Sequence, residues 1–178
     1  MKGKNTALLI IDIQLGSFLE KFPLYNSDGL LNNIQAIITN AHSKQIPVFM
    51  TKHNGKKRSS TQKGSAGWEI HPSLQLTGTE IIIEKDNPDA FQQTDLEQQL
   101  TFREIGRIII AGIRSDICID ATCRQAYSKS YEVIIAKDGH STYNTGLLKA
   151  KQIIDHHNEI FEAWFADVIQ TSEMELYF

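Results

Sequence analysis

Residues 107–123 read RIIIAGIRSDICIDATC. Three isoleucines and an alanine, Ile108 to Ala111, run into a small turn at Gly112, and Cys118 stands where a helix begins. A run this apolar and β-branched suits a strand buried on both faces, as in a parallel sheet covered by helices. Similar runs at Ala7–Ile11, Ile46–Thr51, Thr79–Ile83, Glu132–Ala136 and Ala163–Val168 predict further strands, with Arg107–Ala111 as the fourth. Between them lie segments with helical spacing. Leu30–Lys44 carries apolar residues at Leu30, Ile34, Ile37, Ile38 and Ala41. Leu96–Phe102 follows a Thr94-Asp95 cap signal, and Cys118–Ser128 and Thr145–Asn158 complete the set. The alternation predicts an α/β fold, an open and mainly parallel sheet with helices on both faces. No repeat or linker divides the chain, so one domain over residues 1–178 is expected. The connection from His53 to Gly78 is long, rich in Gly, Ser, Thr and Lys, and of the kind that carries function or moves.

Composition narrows the function classes. The 178 residues are 41% hydrophobic and 22% charged, with a formal net charge of −3, which are ordinary globular values. A small negative charge argues against non-specific nucleic-acid binding. The one basic run, Lys56-Lys57-Arg58, sits in a polar loop. No apolar run approaches the roughly 20 residues of a membrane span. The apolar part of the N-terminus is short and is interrupted by Asp12, unlike a signal peptide. Two cysteines five residues apart make neither a disulfide framework nor a zinc spacing, so a cytoplasmic protein with reduced thiols is expected. No G-x-G-x-x-G follows the first strand, which argues against a dinucleotide-binding module.

Ligands of open parallel sheets bind beyond the carboxyl ends of the strands. The first predicted strand ends in Asp12, the third in Lys85, and the fourth leads through Arg114-Ser115-Asp116 to Cys118. A carboxylate, an amine and a thiol would therefore meet at one sheet edge. Together they suit nucleophilic catalysis: the thiolate attacks, and a helix N-terminus and a neighbouring ammonium favour it. Asp12 could accept the thiol proton, and backbone N–H groups at the turn could hold a developing oxyanion. Each residue alone also has a plainer role. Asp12 suits a turn, Lys85 a solvated surface and Cys118 a small buried hydrophobe. Their coincidence on successive strand ends favours catalysis.

Three stretches carry a family resemblance. ALLIIDIQLGSF includes Asp12, Gln14 and Phe18. IIIEKDNPDAFQQT includes Lys85, Ala90, Phe91 and Thr94, and the Gly112–Cys118 segment GIRSDIC completes the set. In this order they resemble the isochorismatase-like cysteine hydrolases along almost the whole chain. The resemblance implies a six-stranded, three-layer αβα domain and a Cys118/Asp12/Lys85 triad working through a covalent acyl-enzyme. It also implies a cis peptide at Ile113–Arg114, with the Arg114 and Cys118 N–H groups as an oxyanion hole. Gln14, Phe18, His53, Trp68 and Phe91 become candidates for substrate contact, although Trp68 and Ile70 could equally pin the long loop to the core. Arg114 either selects an anionic substrate group or points to solvent. Cys123 is expected to be an inert core residue.

Nicotinamidases of the family carry an Asp-x-His metal element after the second strand. Here that stretch is Thr51-Lys52-His53, and His71 is the only other histidine of the loop. The expectation is no metal and no other cofactor. Isochorismatases cleave a vinyl ether and need no cysteine, so Cys118 points to an amide-type C–N bond in a small molecule. GSAGWEIHPSL resembles the metal-free branch. The alternatives are an isochorismatase- or nicotinamidase-type hydrolase, or a non-catalytic binding protein that keeps the fold. The resemblance also implies a homo-oligomer.

Overall fold

A computed structural model describes residues 3–19 and 23–178, apart from the side chain of Leu176. Six strands form one sheet: β1 (Asn5–Ile11), β2 (Val48–His53), β3 (Ile81–Lys85), β4 (Ile105–Ile113), β5 (Glu132–Ser141) and β6 (Asp167–Ile169). Their order is β3-β2-β1-β4-β5-β6, and every pairing is parallel. The helices are α1 (Leu15–Phe18), α2 (Ser27–Ser43), α3 (Leu96–Phe102), α4 (Asp120–Ser128) and α5 (Ala150–Ile160).

The period of the strands divides the core into two layers. On β1, Ala7, Leu9 and Ile11 face one side, packing with Phe49, Leu96, Leu100 and Cys123. Leu8 and Ile10 face the other, against Ile34, Ile37 and Ile38 of α2. The residues whose spacing predicts α2 are the ones it buries: Leu30, Ile34, Ile37, Ile38 and Ala41. Burying a Leu or Ile side chain contributes about 1.5–3 kcal/mol, so both faces of the central strands are strongly held.

Some boundaries differ from the sequence expectation, each for a local reason. The last strand begins at Asp167, because Phe161–Phe165 prolongs α5 as a wide π-turn. Phe161 is fully buried there, and the Ala166 N–H donates to its carbonyl at 2.9 Å. α5 starts at Ala150, five residues beyond the expected Thr145. Thr145 instead closes a turn with the Leu148 carbonyl, and Asn144 accepts from the Ala150 N–H. The final segment, Thr171–Tyr177, is a 3₁₀ helix anchored by the fully buried Met174. Among the described residues no helix is long and apolar enough to cross a membrane.

Two features bear on the site. Strand order reverses between β1 and β4, the topological switch point where α/β sheets take ligands. The register between β4 and β5 also shifts, from Ile110 opposite Ile135 to Gly112 opposite His140. Gly112 has φ +126°, and a Cβ there would lie 2.1 Å from the Ile11 carbonyl oxygen, so β4 passes β1 more closely than a side chain allows.

Candidate active site

Asp12 follows the last residue of β1 in the left-handed region, at φ +53°. This turn is stabilised from β2: the Asp12 N–H donates to Thr51 Oγ1 at 3.1 Å, and that hydroxyl donates to Asp12 Oδ1 at 2.6 Å. The second carboxylate oxygen, Oδ2, lies 2.7 Å from Lys85 Nζ at the end of β3. The Lys85 side chain has no solvent exposure, and its ammonium also donates to the Asn87 and Pro88 carbonyls at 3.1 and 3.3 Å. A buried ammonium with an ion partner and two carbonyls has the compensation that burial of charge requires. Cys118 Sγ stands 3.5 Å from the same Nζ. The three strand-end groups therefore converge.

Thr51 is not among the site residues that the sequence predicts, though its place is legible. It ends the predicted second strand, which runs parallel to β1, so it falls beside Asp12. Thr51→Val is expected to lower kcat about tenfold with little change in KM, since Asp12 loses one of its two fixed positions. Stability is expected to fall by about 1–3 kcal/mol because the Asp12 N–H is left without an acceptor. Steady-state kinetics and urea unfolding measure both.

Cys118 lies in a π-turn, Ser115–Ile119, that leads into α4. The Ile117 and Ile119 N–H groups both donate to the Arg114 carbonyl, at 3.1 and 3.0 Å. One correction concerns the thiol. From strand ends alone, the helix terminus and Lys85 predict a stabilised thiolate. Instead the Cys118 thiol is pushed up to about 12, chiefly by burial and next by the Asp12 carboxylate, which together outweigh Lys85. At neutral pH the sulfur is therefore protonated. Cys123 is also held near 12 by burial and then Asp120, but it has no solvent exposure and packs in the core.

The Ile113–Arg114 peptide is cis. The Arg114 side chain is held by Asp116, with Nη2 3.0 Å from Oδ2, and its Nε donates to Thr142 Oγ1 at 3.3 Å. Its guanidinium also lies 5.2 Å from the Tyr143 ring centre. Asp116 is held below the usual carboxylate range: bonds from Thr142 and Arg114 overcome the opposing effect of burial. Arg114 is thus neither free in solvent nor an unpaired anion receptor.

A cavity of about 110 Å³ opens on the sulfur, small beside the 300–1,000 Å³ of drug-sized pockets. It is lined by Asp12, Gln14, Ser17, His53, Thr61, Ile113, Arg114, Cys118 and Tyr143. Gln14 and His53, both substrate-contact candidates, thus lie on its wall. The amide of Gln14 is already committed: Nε2 donates to the His53 and Trp68 carbonyls at 3.1 and 2.9 Å, and Oε1 accepts from the His53 N–H at 2.9 Å. Trp68, Phe18 and Phe91 stand outside this lining. The Trp68 ring carries Lys52 Nζ at 3.3 Å and its Nε1 donates to Asn54, so it pins the loop, while Phe18 packs on His71 with ring centres 4.6 Å apart. Phe91 belongs to the core cluster that holds Leu96 and Leu100 of α3 and Cys123 and Ala126 of α4, and it stacks on Tyr131 at 5.9 Å. Ser17, Thr61 and Tyr143 were missed. They come from α1, the long loop and the segment after β5, and no spacing in the sequence links them.

The donors for a metal ion do not assemble. Among the described residues no three His, Cys, Asp or Glu side chains sit close enough to share one. Position 51, where the metal-binding pattern has an aspartate, is a threonine bonded to Asp12, and His71 Nδ1 pairs with Ser73 Oγ at 2.8 Å.

Comparison with known proteins agrees with this architecture. An Isochorismatase domain matches residues 6–172. Nicotinamidase 3 of Arabidopsis thaliana is 30% identical over 83% of this chain and 79% of its own length. Ureidoacrylate amidohydrolase RutB of Acinetobacter baylyi is 23% identical, over 92% of this chain and 81% of its own. A crystal structure of an isochorismatase family protein is 30% identical, covers 94% of this chain and 99% of that one, and superposes with a TM-score of 0.88. With a matching domain, a 30% identical relative and a closely superposing structure, the chain belongs to the isochorismatase family of hydrolases.

Proposed function

We propose that the protein is a cysteine-dependent hydrolase of a small-molecule amide-type C–N bond, with Cys118 as nucleophile, Asp12 as proton carrier and Lys85 as the cation that positions Asp12. The observation that carries this reading is the 2.7 Å Lys85–Asp12 pair set 3.5 Å from the Cys118 sulfur beside an open cavity. A related nicotinamidase and a ureidoacrylate amidohydrolase lend it support, since the names of both describe amide chemistry.

Because the thiol rests protonated, attack and deprotonation are coupled. Asp12 takes the S–H proton as sulfur bonds to the substrate carbonyl carbon. The Arg114 and Cys118 N–H groups receive the oxyanion. Asp12 then protonates the departing nitrogen, the C–N bond breaks, and a thioester remains on Cys118. Water attacks the thioester, Asp12 accepts its proton and returns it to sulfur, and the carboxylic acid leaves.

We also read the protein as a cytoplasmic homo-oligomer. Two free cysteines, Cys118 and Cys123, suit a reducing compartment, and the exposure of Leu147, Phe102 and Trp164 suits a chain with further surface to cover.

The test is a panel of small amides assayed for release of acid together with ammonia or amine. Cys118→Ala is expected to reduce turnover to background and Cys123→Ala to leave it within about twofold, since the second sulfur has no opening to the site. Equal losses from both variants would reject the assignment. Release of a carbonyl compound from an enol ether, with no amide cleaved, would favour vinyl-ether chemistry.

A further inference from the structure

We infer that the cavity selects uncharged amides bearing a second polar group, and that the His53 imidazole is the residue that recognises that group. This deepens the hydrolase reading above and rests on it. Two observations point the same way.

The first is the state of His53. It ends β2 on the cavity wall, and its backbone is clamped on both sides by Gln14, through the N–H at 2.9 Å and the carbonyl at 3.1 Å. Gln14 is itself fully buried and is tied to the Trp68 carbonyl, so the clamp joins three segments and fixes where the ring sits. Yet among the described residues no group of the chain hydrogen-bonds either ring nitrogen, and Nδ1 is buried as well. Leaving such an atom unpaired costs about 1–3 kcal/mol, so native structures seldom do it without a function. Nδ1 is enclosed, so Nε2 is the nitrogen that a ligand in the adjoining cavity reaches. Burial first, and the Lys85 charge second, lower the His53 pKa, so the ring is neutral at pH 7. The accessible nitrogen of a neutral imidazole donates or accepts according to its tautomer, and it matches a carboxamide or hydroxyl better than an ion.

The second observation is the charge inventory of the wall. Its two fully charged groups are Asp12 and Arg114, and each already has a counter-ion, Lys85 and Asp116. A charged substituent entering the cavity would lose its water with no free ion to replace it, which is costly. An uncharged one avoids that cost.

The experiment uses four amides of matched length: succinamide, the apolar isostere 4-methylvaleramide, the anion succinamate and the cation 4-aminobutyramide. For the wild-type protein, kcat/KM is expected to be about tenfold higher for succinamide than for 4-methylvaleramide, the factor one hydrogen bond supplies. The two ions should fall below both. His53→Phe is expected to raise KM for succinamide about tenfold more than it raises KM for 4-methylvaleramide, with kcat for each within about threefold, the pattern of a lost binding contact. His53→Gln, which keeps a donor and an acceptor, should restore part of the preference. Equal losses on both neutral amides would assign His53 a structural role and overturn the inference, as would a preference for succinamate. Should none of the four be hydrolysed, calorimetric binding to Cys118→Ala protein decides. Succinamide binding tighter than 4-methylvaleramide, and weakened by His53→Phe, upholds the recognition role while the hydrolase reading falls. Equal or absent binding of the two rejects the role.

Discussion

Asp12→Asn is expected to slow turnover by about 10²–10⁴-fold, the usual contribution of a positioned general acid–base group, while making Cys118 easier to alkylate. The two effects run in opposite directions because of how the site is charged. In the native site the thiol is pushed up to about 12, by burial first and by the Asp12 carboxylate second, with Lys85 opposing. Removing the carboxylate charge leaves burial unchanged but removes the repulsion, and it frees the Lys85 ammonium, 3.5 Å from the sulfur, to pair with a thiolate. Each unit by which the thiol falls multiplies the thiolate at a given pH by ten, so iodoacetamide labelling at pH 8 should accelerate on the order of tenfold or more. Lys85→Met is expected to move labelling the other way and to lose turnover too. Peptide mapping separates Cys118 from Cys123, whose labelling should stay slow because no surface of it is exposed. Breaking a buried ion pair costs about 3–5 kcal/mol, so both variants are compared below their melting temperatures. A Cys118 that labels rapidly at pH 7 in the wild-type protein, and slows in Asp12→Asn, would mean that a preformed thiolate does the attacking and that Asp12 is not its base.

The state of the Cys118 thiol is not legible in the sequence. The strand-end rule finds Asp12, Lys85 and Cys118, because each follows an apolar, β-branched run that reads as a strand, even in β3, which lies at the sheet edge and leaves Ile82 exposed. Topology then brings the ends together at the switch point between β1 and β4. The rule is silent on how deeply the groups are enclosed, and enclosure sets the state of the thiol. Phe91 shows the same limit. Its spacing from Lys85 is legible, but whether the ring faces the cavity or the core depends on tertiary packing, and it faces the core against Tyr131. Gln14 is legible as a site residue, whereas its two-sided clamp on His53 depends on a contact across 39 residues of sequence. Tyr143 and Thr61 reach the wall from segments without periodic pattern, so nothing short of the folded chain identifies them.

Acidification should weaken the fold through His140, which no sequence pattern distinguishes. The ring is 3% exposed, between Ser115 Oγ at 2.7 Å from Nδ1 and Asn158 Oδ1 at 2.9 Å from Nε2. The Asn158 oxygen can only accept, so Nε2 carries the proton and Nδ1 accepts from the Ser115 hydroxyl. Ser115 opens the π-turn that holds Cys118, so this neutral imidazole braces the proposed nucleophile. Burial, with a smaller part from His157, pulls its pKa down to about 4 against the weaker opposing effects of Asn158 and Asp138. Between pH 6.5 and 4 the unfolded chain therefore binds a proton that the folded chain refuses. The contribution of His140 is complete above pH 6.5 and drains as the pH falls towards 4, by about 3 kcal/mol in all. His53 and His71 are also depressed, chiefly by burial, and add to the same slope. Urea unfolding of the wild type and of His140→Gln at pH 7.5 and pH 4.5 isolates the share of His140. The variant is expected to be less stable at pH 7.5, through lost packing and the unpaired Ser115, and to lose less than the wild type on going to pH 4.5. Parallel losses in the two proteins would mean that His140 accepts its proton without unfolding, and that the brace behind Cys118 tolerates an imidazolium.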